Sequence, residues 1–199
     1  MNLPLAREFQ TLVIILTFLS IGLSGFEVFD HVWIWSLWAI LIFFVRDFRR
    51  RTPADPLANI SPVDGRIVTI EKGFDPHLQR QSMIYTIRQS MTGEFNLHSP
   101  SEGKLKELWV NKSDHSKTLS FWIETDEKDQ VVLEIKLLNA VQHASTHTHP
   151  GERIGQGERL GFTAIACLTR VYLPVSVKRV GCVGDKVIAG QDTLANFTH

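Results

Sequence analysis

The sequence predicts a mainly β protein: a barrel-sandwich-hybrid-like β domain over residues 51–199, preceded by an α-helical membrane hairpin over residues 1–50. Three observations lead there. Long uncharged apolar runs occur only before residue 46, apolar residues beyond residue 62 come in short alternating segments, and two glycine-turn motifs recur along the chain. A length of 199 residues suits one domain with an appendage. With 21 basic and 21 acidic residues the formal net charge is zero, which argues against a nucleic-acid partner.

The appendage comes first. Phe9 to Phe26 carries no charge. As a helix rising about 1.5 Å per residue it would reach about 27 Å, close to the thickness of a hydrocarbon core. His31 to Val45 forms a second apolar run with three tryptophans, a residue type suited to the membrane interface. A cleaved signal peptide would have one such run and a small-residue cleavage site. Here a second run and the basic cluster Arg46, Arg49, Arg50 and Arg51 follow, and Arg7 precedes the first. The positive-inside bias then places both ends, and the body, on the cytoplasmic side of the inner membrane. The same arginines could also lie among anionic head groups. Whether the hairpin spans the bilayer or lies in one leaflet stays open.

The linker from residue 52 to 62 has three prolines and no apolar period, so it parts the anchor from the body. After it, RIVTI, SMIYTI, KLKELWV, TLSFWIE, QVVLEIKLL, GFTAIACL and RVYLPVSVKRV are rich in β-branched and aromatic residues and end at Gly, Pro or Asp, the mark of strands. Ser61-Pro62-Val63-Asp64-Gly65-Arg66-Ile67 returns as Ser99-Pro100-Ser101-Glu102-Gly103-Lys104-Leu105. Gly151-Glu152-Arg153-Ile154 with Gly157 returns as Gly184-Asp185-Lys186-Val187 with Gly190. Such turns join short strands at the rim of a small sandwich, with glycine supplying positive φ. The pattern looks like the barrel-sandwich hybrid of lipoyl and biotinyl carriers. Of those carriers' modified lysine only Lys186 offers a counterpart, without the usual flanking residues.

Cys167 and Cys182 flank no metal-type spacing and indicate no disulfide framework. His143, His147 and His149 form the one cluster with ligand-like chemistry, but no cysteine or carboxylate completes a shell before Glu152, so no metal is expected.

The residues also resemble, in collinear order over nearly the whole chain, the short membrane-anchored phosphatidylserine decarboxylase family. The resemblance rests on Phe43-Phe44-Val45-Arg46-Asp47, on the Ser61–Ile67 stretch, on Gly157-Glu158-Arg159-Leu160-Gly161-Phe162, on Arg170-Val171-Tyr172-Leu173-Pro174 and on Val183-Gly184-Asp185-Lys186-Val187. It implies conversion of phosphatidylserine to phosphatidylethanolamine by a pyruvoyl group, which the family makes when an Asp-His-Ser triad cuts its own chain. The implied partners are a phospholipid membrane and phosphatidylserine.

Carried over residue by residue, the triad aspartate is Asp64. The base histidine falls on Phe95, which cannot take a proton, and the cleavage pair Gly-Ser falls on Ala166-Cys167. A thiolate is a competent nucleophile. With Cys167 as nucleophile and pyruvoyl position, His98 is the nearby candidate base. Ala166 lacks the conformational freedom of glycine at the scissile bond. These replacements count against self-processing, and no pyruvoyl group is expected unless the chain is cut before Cys167. The alternative is a non-catalytic membrane module that binds lipid head groups or a partner protein. In it Cys167 is a small buried strand residue and Asp64 a turn aspartate.

Overall fold

The computed structural model describes residues 7–24, 36, 38, 50–113, 116–137, 144–163 and 167–198. They belong to two compact units, Met1–Arg49 and Arg50–His199. The first contains helix α1, Arg7–Ser24. In it the Ser20 hydroxyl donates to the Leu16 carbonyl (2.8 Å) and accepts the Trp38 indole N–H (2.9 Å). Ile14, Ile15, Phe18, Leu19 and Ile21 are exposed.

The membrane-anchoring hairpin expected from the sequence finds no support in the described part of the chain. Among the described residues no helix is long and apolar enough to cross a membrane. Helix α1 has 18 residues, of which the first two, Arg7 and Glu8, are charged. The second arm, apart from Ser36 and Trp38, lies outside the described residues.

The second unit is mainly β. Its strands are β1 (Ala58–Ile60), β2 (Gly65–Asp75), β3 (Arg80–Gln89), β4 (Asn96–His98), β5 (Gly103–Ser113), β6 (Ser116–Glu124) and β7 (Gln130–Leu137). They continue with β8 (Ala144–Thr146), β9 (Arg153–Ile154), β10 (Arg159–Thr163), β11 (Leu168–Pro174), β12 (Lys178–Arg179), β13 (Lys186–Val187) and β14 (Thr193–Asn196). Eight of them form an open, curled sheet, a half-barrel, in the order β13-β2-β3-β11-β7-β6-β5-β9. Two three-stranded sheets, β1-β14-β12 and β4-β10-β8, complete the body.

That order is a palindrome about the β11–β7 pair. β13, β2 and β3 on one side match β9, β5 and β6 on the other, and the two small sheets match each other. The two sequence repeats therefore mark a pseudo-twofold. Its turns repeat bond for bond. The Ser61 hydroxyl donates to the Val63 carbonyl and the Ser99 hydroxyl to the Ser101 carbonyl, both at 2.7 Å. The Gly190 amide donates to the Ser61 carbonyl (2.8 Å) and the Gly157 amide to the Ser99 carbonyl (2.9 Å). Each half also has a bulge in its long strand, between Ile67 and Thr69 and between Leu105 and Glu107. The four repeat glycines adopt positive φ in matching pairs, 97° and 72° at Gly151 and Gly157, 95° and 72° at Gly184 and Gly190. Residues with a Cβ are strained there.

The central strands are covered on both faces, which is why their sequences read as nearly unbroken apolar runs. Met83, Tyr85, Ile87, Val131, Leu133, Ile135, Val171 and Leu173 face the main core. Ile84, Val132 and Tyr172 face the other side, under Leu78, Trp109 and Trp122. GFTAIACL, which reads as one strand, is divided: Gly161–Thr163 end β10 in a small sheet, whereas Leu168 begins β11 in the half-barrel. The chain changes sheets between them.

Candidate functional site

Asp64 lies at the turn into β2, where Gly93 lets the 90–94 loop pack against it; a Cβ on Gly93 would fall 2.5 Å from that of Asp64. Both carboxylate oxygens are taken. The Ala189 amide donates to Oδ1 and the Glu94 amide to Oδ2, each at 2.8 Å, and the Arg50 guanidinium bonds to both oxygens, Nη2 to Oδ2 at 2.6 Å. Arg50 Nη1 also donates to the Ala189 carbonyl (2.9 Å), and Nη2 stands 2.9 Å from Glu94 Oε2. One arginine thus bridges two carboxylates, with Glu94 fully buried.

Burial alone would raise the pKa of Asp64, but the bonds from Arg50 and the two amides outweigh it and hold the carboxyl below its usual range. At Glu94 burial is likewise outweighed, here by His98, Arg50 and Asn96. Both pKa values are lower folded than unfolded, so the unfolded chain takes up protons first. The stability they contribute is present above about pH 4, the ordinary carboxylate range, and is lost as pH falls through the depressed folded values. Urea midpoints are expected to drop progressively below about pH 4, and less steeply in Arg50→Ala. A wild-type midpoint unchanged from pH 6 to pH 3 would contradict this.

His98 is committed elsewhere than to a nucleophile. Its Nδ1 donates to the Gly157 carbonyl (2.8 Å), since a carbonyl only accepts, and its Nε2 faces Glu94 Oε1 at 3.5 Å. Phe95, where the resemblance places a base, is 1% exposed and meets Phe162 edge to face, centroids 6.4 Å apart. Cys167 is 4% exposed. Its backbone N–H and its thiol both donate to Gln89 Oε1 (3.2 and 3.1 Å), its carbonyl accepts the Gln89 amide (3.0 Å), and its sulfur lies 3.8 Å from Thr169 Oγ1. Burial pushes the thiol up to about 11. Among the described residues its polar partners are a carboxamide and a hydroxyl, not an imidazole. Ala166 lies outside the described residues.

The three sequence-derived site residues are therefore not brought together in the manner of a triad. Asp64 serves Arg50, His98 serves Glu94, and Cys167 serves Gln89. A pyruvoyl group arising at position 167 would need a base at the thiol, and among the described residues the groups that touch it, Gln89 and Thr169, do not fit that requirement. His147 and His149 are exposed, His143 lies outside the described residues, and no group of three metal-type ligands gathers among the described ones.

Three functional positions escaped the sequence reading. Arg50 stands in the sequence within the basic cluster that follows the second apolar run, whereas in the fold it belongs to the β body and bridges two carboxylates. Glu94 and Gln89 carry no motif. Beside them opens a cleft of about 540 Å³, lined by Asp64, Gln89, Arg66, Arg88, Lys186 and Ile188 among others. Gln89 lines it and holds Cys167.

Fold and site together define a class: an internally duplicated, curled β domain with a buried arginine–carboxylate centre beside a cleft in one half. Comparison with known proteins then names the family. The chain is 35% identical over 185 aligned positions to the phosphatidylserine decarboxylase proenzyme of Nitrosomonas europaea, covering 83% of this chain and 84% of that one. It is 33% identical to the Polynucleobacter asymbioticus proenzyme (83% of each chain) and 28% identical to that of Burkholderia vietnamiensis, over 99% of each. No protein-family model and no solved structure matches. This chain belongs to the phosphatidylserine decarboxylase proenzyme family, as a divergent member.

Proposed function

We propose that this protein serves phospholipid metabolism as a decarboxylase relative that remains one chain and holds phospholipid without forming a pyruvoyl group. The observation that carries this reading is Cys167, buried, with its thiol held protonated at neutral pH and bonded to Gln89 rather than to a base. A triad works as a unit, and loss of one member removes most of its effect. Here Phe95 fills the base position, and Asp64 is saturated by Arg50 and two amides.

Phosphatidylserine is the substrate or ligand that the relatives' names suggest. The place of action is the cytoplasmic face of the inner membrane, supported by the arginine-flanked apolar runs and by the exposed apolar side chains of α1. A barrel-sandwich-hybrid relationship is supported by the paired positive-φ glycines of the two repeats.

The test is intact mass spectrometry of the purified full chain, with a decarboxylation assay on phosphatidylserine. A single species of 22.6 kDa and no release of carbon dioxide are expected. Two chains parted before Cys167 would reinstate the self-processing enzyme.

A further inference from the structure

We propose that Lys186, Arg66 and Arg88 form a phosphate-binding row at the mouth of the cleft, taking the phosphodiester of a glycerophospholipid headgroup; this rests on the functional reading above. The three residues lie side by side on three adjacent strands. Lys186 of β13 pairs with Arg66 of β2, and Arg66 pairs with Arg88 of β3. All three are exposed and line the cleft. Directly opposed residues of antiparallel strands carry their Cβ atoms about 4.5–5.5 Å apart, and like charges so placed repel. A row of three cations therefore opposes folding unless an anion sits across it.

Neighbouring carboxylates do not supply that anion. Asp64 is occupied by Arg50 and two amides, and Asp185 accepts the Cys182 amide at 2.8 Å. No ion pair joins Lys186, Arg66 or Arg88 to a described residue.

The pseudo-twofold supplies an internal control. The matching row in the other half runs Arg153, Lys104, Glu124, so its third position carries the opposite charge. There Arg153 pairs with Glu102 (3.1 Å) and Asp126, while Glu124 pairs with Lys106 (3.3 Å) and Lys128 (3.2 Å). The same backbone thus carries a row with two of its three members ion-paired in one half and a row with none ion-paired to a described residue in the other, and the cleft lies at the latter. Guanidinium groups suit a phosphate because they donate in a planar fork. Val68 and Ile188, at 36% and 45% exposure, add apolar surface to the same cleft. That combination favours an amphiphile over a free anion.

The experiment is calorimetric titration of the full chain in neutral detergent with three probes: glycerophosphoserine, inorganic phosphate, and mixed micelles of phosphatidylserine. Phosphatidylserine micelles and glycerophosphoserine are expected to bind, with affinity falling as salt rises. Each charge-assisted contact removed is expected to cost about tenfold, so Arg66→Gln/Arg88→Gln loses about a hundredfold. The control pair Lys104→Gln/Arg153→Gln, altered at the matching place, is expected to keep wild-type affinity. Melting curves exclude misfolding, and Arg66→Gln/Arg88→Gln is expected to melt no lower than wild type because repulsion is relieved.

Unchanged affinity in Arg66→Gln/Arg88→Gln, equal loss in the control pair, or salt-independent binding by the wild type would overturn the site. Binding of inorganic phosphate as tight as that of the lipid probes, abolished by the same variant, would keep the phosphate row and overturn the lipid as its source. Cleavage before Cys167 would overturn the preceding reading alone, since the row is defined by strands that such a cut leaves intact.

Discussion

Arg50→Ala is expected to destabilise the β body by about 3–5 kcal/mol, the usual cost of removing one partner from a buried ion pair. Asp64 and Glu94 would then share a buried site without the guanidinium that bridges them, with only His98 beside Glu94. Arg50 also donates to the Ala189 carbonyl (2.9 Å), so its loss frees the turn that closes over Asp64. Urea unfolding at pH 7, followed by tryptophan fluorescence, checks this. The cause is separated by Arg50→Met/Asp64→Asn/Glu94→Gln, which removes charge and counter-charge together. That variant should recover much of the loss, because neutral groups do not carry the desolvation cost of an unpaired carboxylate. A single variant as stable as wild type would show that Arg50 is not the counter-ion its geometry makes it.

Phe95→Ala is expected to cost about 3–5 kcal/mol, the range for emptying a large aromatic site in a core. The ring is shielded and packs on Phe162, while its backbone carbonyl accepts the Thr163 amide (2.8 Å) and hydroxyl (3.2 Å). Phe95→His with Cys167→Ser supplies the residue types a self-cleaving triad uses. It is nonetheless expected to stay uncut by mass spectrometry, since Asp64 remains bound by Arg50 and cannot orient an imidazole. Cleavage of the double variant would mean that two side chains are enough to bring self-cleavage to this chain.

Much of the body was legible because its signals are local. The strands RIVTI, SMIYTI, KLKELWV, TLSFWIE and QVVLEIKLL all fall within β2, β3, β5, β6 and β7 or overrun them by one residue, since β-branched and aromatic runs between turn formers leave few other choices. The repeated Ser-Pro-x-Asp/Glu-Gly motif became a pseudo-twofold because each copy makes the same turn through its own short-range bonds. GFTAIACL misled because apolar continuity does not reveal a change of sheet between Thr163 and Leu168. The amino-terminal hairpin has no such outcome: α1 begins with Arg7 and Glu8, and most of the second apolar run lies outside the described residues.

Residue identity alone determined that a β domain with two similar halves follows the apolar amino-terminal region, and that Phe95 and Cys167 stand at the positions the family resemblance points to. Only the tertiary structure decided what the remaining polar groups do. Arg50, Asp64, Glu94 and Ala189 are far apart in the chain, and their convergence depends on desolvation and long-range packing, neither of which leaves a local pattern. For the same reason Lys186, Arg66 and Arg88 appear as a row only once three strands are in register.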